Sequence, residues 1–335
     1  MKSIHRGLML VALVGLLSLS SSLSAASKGR SLFGNWEMTL DLGSGQMPSM
    51  LSFSRNEQGE LTGEWISLYG ISKLDGIKRE GREISFGVLT DLGDDELRSR
   101  FEGTLMQGQL SGRLSSDQGE IAAEGKRVKA MPRIAGSWDM AFTMGDQEIN
   151  TVLVVSAGED GELTAEWQSQ WGEHEISNVQ FEKTQLTFDR LIKFQERRIE
   201  STFAGTLKGR TLKGTIKSEL GEVAAVGKQV GGPLIGKWDL TMTSDRGTRK
   251  QRLVVYPDLS ARFAGSKIER IKWEEGQVGF SVTLETDDRD YEMDFQGSLA
   301  RNTLTGQLTT SWGTSEVVGK KIKRVRKASG DSGVR

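Results

Sequence analysis

Residues with chemical reach are sparse in this chain, and the densest group is the run Trp167-Gln168-Ser169-Gln170-Trp171-Gly172-Glu173-His174. Two indole rings beside amide, hydroxyl, carboxylate and imidazole groups suit stacking on a sugar or gripping a peptide. Ring faces supply apolar area, and the few polar groups set orientation. Tyr69 stands in an earlier segment where Trp171 stands here. The candidate ligand-binding residues are therefore Trp171, His174, Trp167, Tyr69 and Gln170. A plainer reading stands beside this one. Trp167 matches Trp65 and Phe263 in position and reads as a core ring, and His174 reads as an ordinary turn residue.

Other chemistry is mostly excluded by what the chain lacks. There is no Cys, and the two His are His5 and His174. That removes thiol nucleophiles, thiolate metal sites, disulfides and a multi-histidine zinc site. Clustered acids at Asp91, Asp94, Asp95 and Glu96, and again at Asp287, Asp288 and Asp290, are of a type that binds calcium. The matching place in the middle segment holds Phe194, Gln195 and Glu196, and no calcium-loop spacing appears, so they read as solvated turn acids. Arg98 and Arg100 correspond to Glu200 with Thr202 and to Glu292 with Asp294, a charge reversal that shared catalysis would not tolerate. No phosphate-cradling loop, nucleophile elbow or metal motif is present. Neither a catalytic residue, nor a metal, nor a cofactor is assigned.

The elements that must position these residues come in three copies. Gly34-Asn35-Trp36, Gly136-Ser137-Trp138 and Gly236-Lys237-Trp238 open segments whose Trp residues lie 102 and then 100 residues apart. Phe86 to Phe101, Phe188 to Phe203 and Phe280 to Phe295 are each steps of 15, and Gly112, Gly214 and Gly306 follow 11 later. Each copy closes on Gly-Lys, at Gly125-Lys126, Gly227-Lys228 and Gly319-Lys320. A period near 100 is a whole domain rather than a solenoid unit. The segments are 27–129, 135–230 and 235–323, joined by Met131-Pro132-Arg133 and Gly231-Gly232-Pro233. Such short linkers hold neighbours close with limited swing.

Within a copy the period is two. Trp36, Met38 and Leu40 alternate with Glu37, Thr39 and Asp41, and later strands repeat the habit between turns such as Asn56-Glu57-Gln58-Gly59 and Gln107-Gly108. Seven turns predict eight half-buried antiparallel strands per copy, with no amphipathic helix. Strands joined in sequence make a meander, and closing it removes exposed edges. Inner-face Gly103 and Gly112, returning in every copy, predict tight bending or a large ring lying across them. The fold class is all-β: three tandem eight-stranded antiparallel meander β-barrels. A sandwich is the alternative, and it would show long cross-sheet connections.

The Gly-x-Trp opening, the eight-strand meander and a cation just after the last strand glycine resemble the calycin group of lipocalins, fatty-acid-binding proteins and avidins. Gly-Glu-Leu-Thr-Gly at 59–63 also resembles the opening of the third avidin strand. The resemblance implies that the first-strand Trp plugs one barrel end under a basic side chain. That pairs Trp36 with Lys126 or Arg127, Trp138 with Lys228, and Trp238 with Lys320 or Lys321. Met38, Met140 and Leu240 stand where avidin-type sites present a polar group, which argues against biotin. The copies are also short for lipocalins, so each barrel is just wide enough for its own side chains or one small ligand.

Residues 1–26 read as a secretory leader. Lys2, His5 and Arg6 precede an apolar stretch at 8–19, and Ser24-Ala25-Ala26 supplies small residues for cleavage. The protein is expected to be exported, periplasmic or extracellular, and not lipid-anchored through cysteine. Residues 33–129 and 135–230 each carry net −5, while 235–323 carry +1. Two acidic copies argue against nucleic acid as a partner along the whole length. The basic tail at 324–335 reads as solvated, with weak contact to an anionic surface as the alternative. Invariant Gly, Trp, Leu, Phe and Lys beside variable polar residues suit a binding module, not three copies of an enzyme. The leading expectation is an exported non-enzymatic protein that binds small apolar or amphipathic molecules. The alternatives are an envelope interaction module, as spacer or inhibitor of a secreted enzyme, and a hydrolase or isomerase with one active barrel.

Overall fold

A computed structural model describes residues 32–91, 95–194, 197–284 and 290–322. The leader at 1–26, the tail at 324–335, and Asp94, Asp287 and Asp288 of the acid clusters lie outside them. The first sheet is built from β1 Gly34–Asp41, β2 Gln46–Arg55, β3 Leu61–Ser67, β4 Gly70–Glu80, β5 Glu83–Asp91, β6 Glu96–Met106, β7 Gln109–Ser116 and β8 Gly119–Arg127. The second follows as β9 Gly136–Met144, β10 Gln147–Ala157, β11 Leu163–Gln168, β12 Glu173–Glu182, β13 Gln185–Phe194, β14 Arg197–Lys208, β15 Thr211–Ser218 and β16 Gly221–Gln229. The third comprises β17 Gly236–Ser244, β18 Gly247–Val255, β19 Ala261–Phe263, β20 Ser266–Ile268, β21 Lys272–Glu274, β22 Gln277–Leu284, β23 Tyr291–Ala300, β24 Thr303–Thr310 and β25 Gly313–Lys321. All three are antiparallel meanders of the kind the calycin resemblance implied.

Closure differs among them. The first sheet is a closed barrel, with β8 returning to β1 so that Trp36 faces Arg127 and Leu40 faces Ala123. In the second, β16 also returns to β9, but no ladder joins β11 to β12. The third opens at the same place, where the fourth strand is broken into β20, paired with β19, and β21, paired with β22. The local cause in the second barrel is the connection. Two residues, Leu68 and Tyr69, turn β3 into β4, whereas four, 169–172, separate β11 from β12. A tight hairpin enforces register, and a longer one releases it.

The repeated landmarks are core parts. Phe86 and Phe101 face each other across β5 and β6 and stack with centroids 4.8 Å apart. Phe188–Phe203 and Phe280–Phe295 repeat this at 4.9 Å each. Gly103 faces Gly112 in the ladder, and a Cβ on Gly103 would come within 2.7 Å of the Phe101 ring. Those glycines therefore leave room for a ring lying across two strands, as their recurrence predicted.

Barrels one and three also pack on each other. Met50 and Ile66 point out of barrel one and form a buried cluster with Val254 of β18. Arg252 joins Glu64 of barrel one to Asp239 of its own barrel, both at 2.9 Å, and Arg262 reaches Glu37 at 2.6 Å. Gln251 Nε2 donates to the Ser67 carbonyl at 2.7 Å. β2 accordingly buries residues on both faces, a pattern strict alternation does not produce.

Candidate functional site

Barrel two differs from its neighbours inside. Inward alternation on β13 places Leu186, Phe188 and Arg190 in line, where the other barrels carry Val88 or Val282 at the Arg190 position. Arg190 is 7% exposed, its guanidinium lies 4.6 Å from the Trp167 ring centroid, and Nε donates to Ser201 Oγ at 3.1 Å. Ser201 Oγ in turn donates to the Arg190 carbonyl at 3.3 Å. Among the described residues no carboxylate pairs with Arg190, in contrast to buried Arg252 and Arg262. Burial alone pushes the Arg190 guanidinium down to about 10, so the cation persists at neutral pH.

Around this charge stand polar atoms that meet no protein partner. Trp167 Nε1 on β11, Thr151 Oγ1 on β10 and both ring nitrogens of His174 on β12 are shielded from solvent without hydrogen bonds. Barrel one shows how such atoms are normally satisfied. There Trp65 Nε1 donates to Ser49 Oγ at 2.9 Å, and Ser72 Oγ meets Thr90 Oγ1 at 2.7 Å. Ser49, Trp65 and Ser72 are the counterparts of Thr151, Trp167 and His174, so these positions are hydrogen-bonded in barrel one and not in barrel two. Burial, and then the Arg190 charge, holds the His174 imidazole below its usual range. The nearby Trp171 backbone opposes this in part, without hydrogen-bond geometry. A neutral imidazole and an indole N–H thus flank the seam between β11 and β12, beside a cation that has no carboxylate partner among the described residues.

The structure brings together Trp167 and His174, whose rings lie 6.5 Å apart. Trp167 is the core ring of the plainer reading, ringed by Phe142, Phe188 and Phe203 at 6.3, 6.1 and 6.5 Å. His174 is half-buried beside it rather than a free turn residue. Trp171 and Gln170 stay exposed on the connection above the seam, Trp171 at 46%. Tyr69 is exposed on barrel one, and the neighbouring Gly70 sits against the Lys250 carbonyl of barrel three. Thr151, Arg190 and Ser201 were missed. Arg190 was detectable, because a cation at an inward position two after Phe188 breaks a pattern filled by Val elsewhere.

At the other rim the first-strand Trp of each barrel is buried, and of the expected cations Arg127 and Lys321, not Lys126, Lys228 or Lys320, stand opposite it. Each indole N–H donates to the carbonyl four residues back: Trp36 to Leu32 at 3.0 Å, Trp138 to Ile134 at 2.8 Å and Trp238 to Leu234 at 2.7 Å. Lys126, Lys228 and Lys320 stand opposite Glu37, Asp139 and Asp239 on the outer face. With a period of two, the residue opposite each Trp is instead Arg127, Gln229 or Lys321. Lys321 Nζ lies 5.0 Å from the Trp238 ring centroid. Leu32, Ile134 and Leu234 are buried, and an apolar residue four before each Trp was the available signal.

Among the described residues no group of three or more His, Asp or Glu gathers into a metal site. Glu96 of the first acid cluster pairs with Arg98 at 2.6 Å. No helix among the described residues is long and apolar enough to cross a membrane.

No protein-family model and no curated protein matches the chain. Among solved structures it is similar to a Bacteroides fragilis NCTC 9343 protein provisionally described as an outer membrane protein. That match has 14% identity and a TM-score of 0.24 over 58% of this chain and 96% of the other. A mutant transferrin binding protein B from Haemophilus parasuis Hp5 matches at 9% identity and TM-score 0.20, over 87% of this chain and 76% of its own. The same protein from serogroup B Neisseria meningitidis matches at 12% and 0.17, over 90% and 68%. Likenesses this loose carry no argument about ligand, activity or compartment.

Proposed function

We propose that this is an exported, non-enzymatic binding protein whose second barrel takes a small amphipathic molecule through the seam between β11 and β12. An acidic group on the ligand meets Arg190, with Thr151, Trp167 Nε1 and His174 as further polar partners. The apolar part lies along Trp167 and the rim ring Trp171. The observation that carries this is the buried Arg190, without a carboxylate partner among the described residues, in a barrel where Thr151, Trp167 and His174 also hold unpartnered polar atoms. A buried charge is costly unless something pairs with it. Barrel one supports the contrast, since its matching positions are apolar or internally hydrogen-bonded. His174 has no hydrogen-bonded carboxylate among the described residues, so no base with an orienting partner stands there. Export is supported by the leader at 1–26.

Native mass spectrometry of the mature protein from a detergent-free extract, beside a denatured sample, tests occupancy directly. Titration with octanoate and with octanol then tests the chemistry, read by tryptophan fluorescence. Octanoate is expected to bind and octanol not, with Arg190→Met abolishing the difference. Equal response to both, or to neither together with bare protein mass, overturns the reading. The envelope-interaction alternative draws its support from the self-satisfied interior of barrel one.

A further inference from the structure

A second feature lies outside the barrels, where their plugged ends meet. A cleft of about 2010 Å³ is lined by residues of all three, including Arg55, Arg127 and Lys129 of the first segment and Arg210 of the second. Lys237 and Lys321 of the third complete its floor. Among the described residues ten Lys and Arg side chains line it against two acids, Glu64 and Asp239. Both acids are already bound by Arg252, at 2.9 Å each. The chain as a whole has a formal net charge of −1. The positive charge here is therefore segregated, not a reflection of composition.

Several of these cations are held in place without being neutralised. Arg127 Nη2 donates to the Phe33 carbonyl, Arg210 Nη2 to the Ile235 carbonyl at 3.2 Å, and Lys321 Nζ to the Pro233 carbonyl at 2.5 Å. A carbonyl orients a cation but leaves its full charge. Burial, and then the Arg210 charge, pushes the Lys321 ammonium down to about 8. A concave surface of one sign focuses its field and concentrates opposite charges.

Size and lining narrow the occupant. Small-molecule pockets run to about 300–1,000 Å³, so this cleft suits a longer chain. Among the described residues Tyr256 is the single aromatic one in the lining, and one ring makes no platform for stacked bases. We propose that the cleft binds a linear polyanion, held at several points by its phosphate, sulfate or carboxylate groups as it passes from barrel to barrel. This stands independently of the site inside barrel two.

The test uses the mature full-length chain with three probes: inorganic polyphosphate, heparin and poly-L-glutamate. Binding is measured at rising salt by displacement of a labelled heparin fragment. At least one probe is expected to bind with an affinity that falls steeply with salt, and its identity names the anionic group preferred. Arg133→Glu with Arg210→Glu is expected to weaken that binding at least tenfold. Arg246→Glu with Lys272→Glu, which changes net charge equally away from the cleft, is expected to change it less than twofold. Failure of all three probes at low salt overturns the proposal. So does an equal loss in both paired variants, or a loss on deleting 324–335 that the cleft pair does not reproduce. Circular dichroism of each variant separates lost binding from lost fold.

Discussion

The Arg190 guanidinium lies 4.6 Å from the Trp167 ring centroid inside a barrel that offers it no carboxylate among the described residues. The ring face and Ser201 offset part of the desolvation, because cation–π and hydroxyl contacts are weaker than an ion pair. Arg190→Met is therefore expected to stabilise the ligand-free protein by about 1 kcal/mol, as replacement of a poorly paired buried charge often does. Thermal unfolding with and without octanoate checks it. A lower Tm in the variant would show that the cation is structurally required.

His174 supplies a pH test. Its pKa is lowered from 6.5, by burial first and then by Arg190. The unfolded chain therefore binds a proton at higher pH than the folded one. Above the unfolded value both states are neutral and nothing is gained or lost; as pH falls below about 6.5 stability declines, until the folded imidazole also protonates. Urea unfolding between pH 7.5 and 5 should show this slope, and His174→Phe should flatten it. An unchanged slope would place the titration elsewhere.

Arg262 and Glu37 form a clamp between barrels three and one at 2.6 Å, with Arg262 8% exposed. Burial raises the Glu37 carboxyl, but the hydrogen bond and charge of Arg262 outweigh it and hold the group below 4.5. That stabilisation is present above the unfolded value and lost as pH falls through the folded one. Arg262→Ala is expected to cost about 2 kcal/mol, less than a fully buried pair because Glu37 is a third exposed. Hydrogen exchange at Met50, Ile66 and Val254 should rise with it, since those residues share the contact.

Gly103 tests the ring-over-glycine packing. A Cβ there would lie 2.5 Å from the Ser111 carbonyl oxygen and 2.7 Å from the Phe101 ring. Gly103→Ala is expected to destabilise by about 2–3 kcal/mol, as forced overpacking does. Denaturant unfolding measures it, and a neutral effect would mean that the strand shifts freely.

Much was legible from periodicity alone. Alternation placed Trp36, Phe86 and Phe101 inward, and the fixed step of 15 made them cross-strand partners, because a hairpin with constant turn length has constant register. The same rule chooses between Lys126 and Arg127 and between Lys320 and Lys321, and puts Lys228 on the outer face: in a strand a single step moves a side chain to the other side. Arg190 was legible as a cation at an inward position two residues after Phe188, although nothing in the sequence ties it to the aromatic run at 167–174.

The sequence by itself determined three copies, strand order, the faces and the buried rings, all local consequences of a period of two and of turn chemistry. The tertiary structure alone decided which barrel closes, that Arg252 and Arg262 bind barrel three to barrel one, and that cations from three segments share one cleft. Those depend on how separate folded bodies meet. Contacts between residues some 200 positions apart, such as Glu37 with Arg262, leave no periodic trace in the chain.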